Sequence, residues 1–381
     1  MGSPGAGTAG RRSRLGELAR LFLRLGTTAF GGPAAHIAMM DEEVVRRRGW
    51  LTREEFLDLL GATHLIPGPN STEIAIHIGH RRAGWPGLLV AGAAFILPAA
   101  LLAMALGALY RRAGALPEVQ GILYGIKPVI VVVVVQALWA LGRTALKSPL
   151  LVVLAAGALA ASVAGIHELL LLAACGLAVA AARGIFRARL LIGLPLGQAA
   201  PTAAATAVGA WPLFLFFLKV GSVLFGSGYV LLAFLRADLV ERFHWLTDAQ
   251  LLDAIAVGQM TPGPVFTTAT FVGYILGGPW MALVATIGIF APSFLFVALS
   301  GPLVPRLRRS PAAGAFLDGI NAGSLALMAA VTLELAPAAL VDLPAIAIAL
   351  VAGALLFGWR VHSGWLVLGG AVAGAVLTAL R

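Results

Sequence analysis

Long apolar runs separated by short polar ones set the pattern of this chain. They cover residues 88–110, 129–141, 150–166, 169–182 and 281–299. Some reach the roughly 20 residues a helix needs to cross a bilayer, and the shorter ones must begin in their flanks. Spans are expected at about 86–110, 118–142, 147–165 and 168–184. One apolar segment breaks in its middle, at Leu65-Ile66-Pro67-Gly68-Pro69-Asn70-Ser71-Thr72-Glu73. Proline lacks an N–H and pushes the residue before it out of the helical region. One helix should therefore stop near Ile66 and a half-helix should start near Pro69, ending by Arg81-Arg82. Thr261-Pro262-Gly263-Pro264 repeats the device.

The repetition extends beyond the break. Phe30-Gly31 recurs as Phe225-Gly226, Trp50-Leu51-Thr52 as Trp245-Leu246-Thr247, and Pro67-Gly68-Pro69 as Pro262-Gly263-Pro264, each 195 positions later. Gly26 and Gly221, Arg24 and Lys219, Thr72 and Thr267, and Trp85 and Trp280 keep the same offset, so the register is expected to be gapless. Four stretches follow: a flexible tail at 1–14, a first repeat at 15–187, an Ala-, Gly- and Pro-rich connector at 188–210, and a second repeat at 211–381. Thr52 with Glu55 three residues on reads as a capping box opening a helix. Gly121/Gly125 and Gly319/Gly323 suit close helix packing. Arg46-Arg47-Arg48 and Arg81-Arg82 flank the first break, but their counterparts are poor in charge, which argues for repeats inserted in opposite orientation. The fold class expected is an all-α polytopic membrane protein of two inverted-topology repeats, each with a Pro-Gly-Pro-broken helix hairpin.

Composition agrees. The 381 residues are 60% hydrophobic and 12% charged, against about 25% charged in soluble domains. The net charge of +10 lies mostly at the ends of apolar runs, where it suits lipid head groups and orientation rather than nucleic acid. A lone cysteine, Cys175, excludes an internal disulfide and any cysteine metal cluster. Residues 1–14 have no early apolar core, so no cleavable signal peptide is expected. Nucleotide-binding and hydrolase motifs are missing, histidines and carboxylates show no metal spacing, and no cofactor or enzymatic activity is expected.

A half-helix that starts inside a membrane exposes N–H groups without intrahelical partners. They carry partial positive charge and suit an anion. The breaks at Pro67, Gly68, Pro69 and at Pro262, Gly263, Pro264 therefore form a candidate anion cradle. Asn70, Ser71, Thr72, Thr267 and Thr268 add neutral donors beside it. Arg24 and Lys219 would bring charge to the cradle or else snorkel to the interface. Gly31-Gly32 and Gly226-Ser227 could be further places where backbone meets ligand. Glu73, in the first turn of its half-helix, reads either as a proton carrier for coupling or as a helix cap, and His36 as a proton relay or a packing residue.

Together Phe30-Gly31-Gly32-Pro33-Ala34-Ala35-His36-Ile37, Trp50-Leu51-Thr52, the 67–73 stretch, Phe225-Gly226 and Thr261-Pro262-Gly263-Pro264 resemble the chromate ion transporter family in its two-domain, fused-repeat form. The likeness covers roughly 15–380. It implies a multi-pass protein of the bacterial inner membrane that exports chromate and confers resistance, with sulfate as competitor. The paired broken helices would give alternating access by rocking of one repeat against the other, and a homodimer is open as its assembly. A transporter of sulfate or another oxyanion, and an uncoupled small-anion channel, are the alternatives.

Overall fold

The computed structural model describes residues 4–29, 32–114, 116–184, 208–225, 230–308, 310–359 and 361–380, without the side chains of 4–12 and 301–308. Most of the expected connector, and Gly31, Gly226 and Ser227, lie outside the described residues. All regular structure among those described is helical. The first repeat holds α1 (Pro4–Thr28), α2 (Gly32–Asp41), a π segment (Glu42–Arg47), α3 (Arg53–Thr63), α4 (Asn70–Ala113), α5 (Pro117–Ala145), α6 (Pro149–Val163) and α7 (Glu168–Ala182). The second holds α8 (Ala210–Val223), α9 (Leu231–Leu235), a π segment (Arg236–Arg242), α10 (Asp248–Met260), a 3-10 turn (Val265–Thr267), α11 (Thr268–Arg308), α12 (Pro311–Ala339), α13 (Leu343–Gly358) and α14 (Ser363–Ala379).

Among the described residues, four helices are long and apolar enough to cross a membrane: Asn70–Ala113, Pro117–Ala145, Val265–Ser300 and Pro311–Ala339. The helices α6, α7, α8, α13 and α14 are apolar but shorter. One expectation fails at the start. Helix α1 begins at Pro4, inside the segment expected to be a tail. Proline suits a first helical position, where its missing N–H is not needed.

Local chemistry explains the matching elements. Thr52 and Glu55 form the expected capping box at α3, and Thr247 and Gln250 form its counterpart ahead of α10. Each π segment closes onto the tryptophan that follows: Trp50 N–H donates to Val44 O and Trp245 N–H to Leu239 O, both at 2.8 Å. The half-helix at the start of α4 ends at a kink, with Ala83 at φ −143° and Gly84 at φ 64°. In α11 the kink falls at Gly277 and Gly278, the latter at φ 78°. Only glycine holds such positive φ cheaply. Gly84 and Gly278 are 194 positions apart, so the register slips by one after the break. The match of Trp85 to Trp280 is thereby corrected: Trp85 follows its kink glycine directly, whereas Pro279 intervenes before Trp280. The slip follows the 3-10 turn at 265–267, where the first repeat is already α-helical.

Two compact units emerge, and neither coincides with a sequence repeat. The first gathers residues 1–113, 209–224 and 257–301, and the second 114–208, 225–256 and 302–381. In the first, α1 packs along α4. A Cβ on Gly26 would come 2.6 Å from Phe95 O, so this crossing brings backbone onto backbone. Gly221 crosses α11 at Ile289 and Pro292 in the same manner. The helices α4 and α11 meet through Gly92 against Phe294 and Gly107 against Tyr274. Phe22, Phe56, Phe95, Leu18 and Ile74 belong to a buried cluster there.

In the second unit the repeats exchange partners. Helix α5 packs on α13 and α14, while α12 packs on α6 and α7, and α5 and α12 touch each other. The expected small-residue motifs make these contacts. Gly121 and Gly125 of α5 face Gly370 and Gly374 of α14, and Gly319 and Gly323 of α12 face Cys175 and its neighbour Gly176. Cys175 is a free, buried thiol in this contact.

Candidate functional site

Both Pro-Gly-Pro breaks fall in the first compact unit, and each is tied to the other repeat. Gly68 N–H donates to Leu224 O at 2.8 Å, and Gly263 N–H donates to Ala29 O at 3.0 Å. Leu224 follows the end of α8 and Ala29 follows the end of α1. The two bonds are equivalent under the 195-residue offset. Gly68 sits at φ 140° and Gly263 at φ 92°, so a side chain at either would be strained. Each break therefore joins a helix C-terminal carbonyl of one repeat to the turn that starts a half-helix in the other.

His36 extends the connection. Its Nε2 lies 3.0 Å from Ala29 O and its Nδ1 3.2 Å from Ser71 Oγ. A carbonyl only accepts, so Nε2 carries the proton and the Ser71 hydroxyl donates to Nδ1. Ala29 O thus receives both Gly263 N–H and His36, and His36 reaches the first turn of α4. The ring is buried and stands edge-on to Phe95. Both nitrogens are engaged by neutral partners, as in a bracket between the breaks.

The other sequence candidates divide. Asn70 lies 3.3 Å from His64 Nδ1 at the start of α4. Thr267 and Thr268 are buried, but their hydroxyls donate to Pro264 O and Val265 O, each at 2.8 Å. Their protons are therefore spent on the 3-10 turn. Thr72 and Glu73 are different. Both are fully buried, and neither the Thr72 hydroxyl nor either Glu73 carboxylate oxygen has a hydrogen-bond partner. The reading of Glu73 as a helix cap thus finds no support, because no N–H of the first turn reaches it. Gly32 opens α2 at φ 76°.

Arg24 is engaged by a carboxylate. It pairs with Glu43 at 2.5 Å, and Glu43 also receives Arg47 at 3.1 Å and Arg48. Arg24, Leu25, Thr28, Met39, Glu43 and Arg47 are among the residues lining a cavity of about 450 Å³. Burial pushes the Glu43 carboxyl up, but the hydrogen bonds from Arg48 and Arg24 outweigh it and hold the group below the usual carboxylate range. Lys219, in the equivalent place on α8, lies 5.6 Å over the Phe216 ring.

Three features escaped the sequence reading. Glu43 lies in the charged run 41–48, where nothing in the sequence separates it from its neighbours. Ser293 on α11 is buried beside Gly68, where a Cβ on that glycine would lie 2.7 Å from its hydroxyl. Its signal, a serine where the first repeat has Ala99, appears only once the one-residue slip is known. In the second unit, Lys127 of α5 pairs with Asp253 of α10 at 3.1 Å, and both are largely buried. A lone lysine preceding the apolar run 129–141 was the available signal. No group of three or more histidines, cysteines or carboxylates able to hold a metal occurs among the described residues.

The fold defines a two-repeat, all-α, multi-pass membrane protein. Comparison with known proteins gives the family. The profile described as "Chromate transporter" matches residues 16–180 and again 211–375, and the chain belongs to that family. It is 33% identical to a chromate transport protein of Cupriavidus metallidurans over 96% of this chain and 92% of the relative. A chromate transport protein of Pseudomonas aeruginosa is 33% identical over 90% and 87%. A probable chromate transport protein of Synechococcus elongatus is 30% identical over 91% and 90%. No solved structure matches.

Proposed function

We propose that the protein is a secondary transporter that exports chromate across the bacterial inner membrane by alternating access. The observation that carries this reading is the reciprocal bonding of the two breaks, Gly68 to Leu224 and Gly263 to Ala29. It holds two half-helix starts in one unit, and each helix start carries about half a positive charge. A tetrahedral dianion matches that pair in charge and in its spread of acceptors. Backbone N–H groups at Asn70 and Ser71, and at the turn after Pro264, would meet it, with Thr72 as a hydroxyl donor. Arg24 would act earlier, at its cavity, where an arriving dianion competes with Glu43 for the guanidinium. Lys219 would be its counterpart.

The two repeats would insert in opposite orientation and rock against each other to open the site alternately. The reciprocal hydrogen bonds and exchanged helix partners support a two-fold relation, and the uneven basic flanks support its inversion. Purified protein in liposomes, loaded with chromate on one side, is the test. Saturable exchange that sulfate inhibits is expected, with Arg24→Ala and Lys219→Ala each slower than wild type. Flux that does not saturate would replace the transporter with a channel, and wild-type rates in both variants would remove the charge assignment.

A further inference from the structure

The two breaks share a backbone but not their polar groups. Behind Gly68 stand Glu73 and Ser293: a Cβ there would collide with Glu73 Oε1 and lie 2.7 Å from Ser293 Oγ. Behind Gly263 stands Ala99, whose methyl would lie 2.9 Å from the same built atom. Ala99 is the positional counterpart of Ser293, 194 residues apart, and Glu73 falls opposite Thr268 at the 195 offset before the slip or Thr267 at the 194 offset after it, a threonine in either register. The second break therefore shows what the architecture needs, and it needs neither acid nor serine. The first adds both and leaves them unanswered. Glu73 is fully buried with neither carboxylate oxygen bonded, and the hydroxyls of Ser293, which shares the space behind Gly68, and of Thr72, the chain neighbour of Glu73, are also unbonded.

An ionised carboxylate buried without donors is strongly disfavoured. A carboxyl with two hydroxyls falls short of the six or more oxygens that a hard cation such as calcium gathers, whereas a proton needs one. Of the titratable groups on elements around it, four are otherwise occupied and one, His77, is not. His36 bonds Ala29 and Ser71, His64 lies by Asn70, Arg24 is held by Glu43, and Lys219 lies over Phe216. His77, one turn further along α4, has an unbonded Nε2 and completes the set.

We propose that Glu73, with Ser293 and Thr72, is the proton site of the transport cycle, and that its proton travels together with the anion. This rests on the dianion site proposed above. An ionised Glu73 and a dianion would compete for one helix end, and like charges disfavour each other. The neutral acid removes that repulsion and supplies a donor. By linkage, anion binding then tightens proton binding by the same factor that protonation tightens anion binding. In the step itself, Glu73 takes a proton from the water of the compartment where the anion enters, an O–H bond forming on the carboxylate as one in the water breaks. It returns the proton to water in the compartment where the anion leaves. One proton crosses per anion, and no electron moves.

The test uses the full-length protein in liposomes at a pH well above neutrality, where chromate is a dianion. Chromate uptake and proton movement are recorded together, with an infrared difference spectrum of the same protein. Wild type should move one proton with each chromate and show the carbonyl band of a protonated carboxylic acid. Glu73→Gln should lose that band and bring the proton-to-chromate ratio to zero, whatever flux remains, and Glu73→Asp should restore a ratio of one. Protons moving opposite to chromate, an unchanged ratio in Glu73→Gln, or acceleration by a sodium gradient would each overturn the proposal. So would a wild-type spectrum without the band, which needs neither substrate nor a stable variant. Wild-type protein that carries the band but moves no chromate would instead remove the function proposed above and leave the proton site standing.

Discussion

Glu43 is the side chain on which most positive charge converges, and it lies outside the helices able to cross the membrane. Its carboxyl is held below the ordinary value of 4.5. A carboxyl depressed in this way adds stability above its unfolded value, and the contribution disappears as pH falls through the folded one. Thermal unfolding in detergent should therefore show wild type losing stability below about pH 4.5, and Glu43→Gln should lose less over the same window. A Glu43→Gln protein whose acid profile overlays wild type would remove the role. Lys127 and Asp253 make a contrasting pair, buried within the second unit. Removing one partner of a buried pair leaves an uncompensated charge and costs about 3–5 kcal/mol. Asp253→Ala should fall in that range, and Lys127→Met with Asp253→Leu should recover most of it. Additive losses in the double variant would show that the two do not interact.

At the scale of elements, the sequence carried much of what the helices do. Helix α3 stops at Thr63, three residues short of the expected Ile66, α4 starts at Asn70 directly after Pro69 as proline chemistry favours, and Arg81-Arg82 marks the end of the half-helix before its kink at Gly84. Gly121 and Gly125 do face another helix, but the partner, α14, is more than 200 residues away, and no local pattern names it. The slip after the 3-10 turn was illegible for a similar reason: one residue of offset changes neither hydrophobicity nor motif. It hid Ser293, whose meaning comes from standing where Ala99 stands in the other repeat. Arg24 was expected beside the anion because the repeat gave it a basic counterpart, while its partner Glu43 sits in a different element. The packing of α5 on α14 is itself testable. A Cβ on Gly125 would run into Gly370 O, so Gly125→Leu must separate the helices and should cost about 1–3 kcal/mol by overpacking. Gly157 on α6 has open space, and Gly157→Ala should be neutral or up to about 1 kcal/mol stabilising. Equal effects at the two sites, read by thermal unfolding, would contradict the interface.

At the scale of the molecule, the two repeats are not the two compact units. Each unit takes helices from both halves of the chain, so a half expressed alone lacks the partners of α5 and of its own break. Splitting the chain within 185–207 and producing both parts in one cell should restore chromate resistance to a sensitive strain, while either part alone should not. Resistance from the first part alone would mean that two copies of one repeat can replace the pair.

The bond from Gly68 to Leu224 also has a consequence for biosynthesis. The partner of the first break is made 156 residues after it. At about 5–20 residues per second, a ribosome takes on the order of ten seconds or more to supply it. For that interval the newly made first half holds an amide that lacks its eventual acceptor. The nascent protein must borrow one from water, from the insertion machinery or from itself. Helix insertion and completion of the break are thus separate events in time, and the second waits for the arrival of α8.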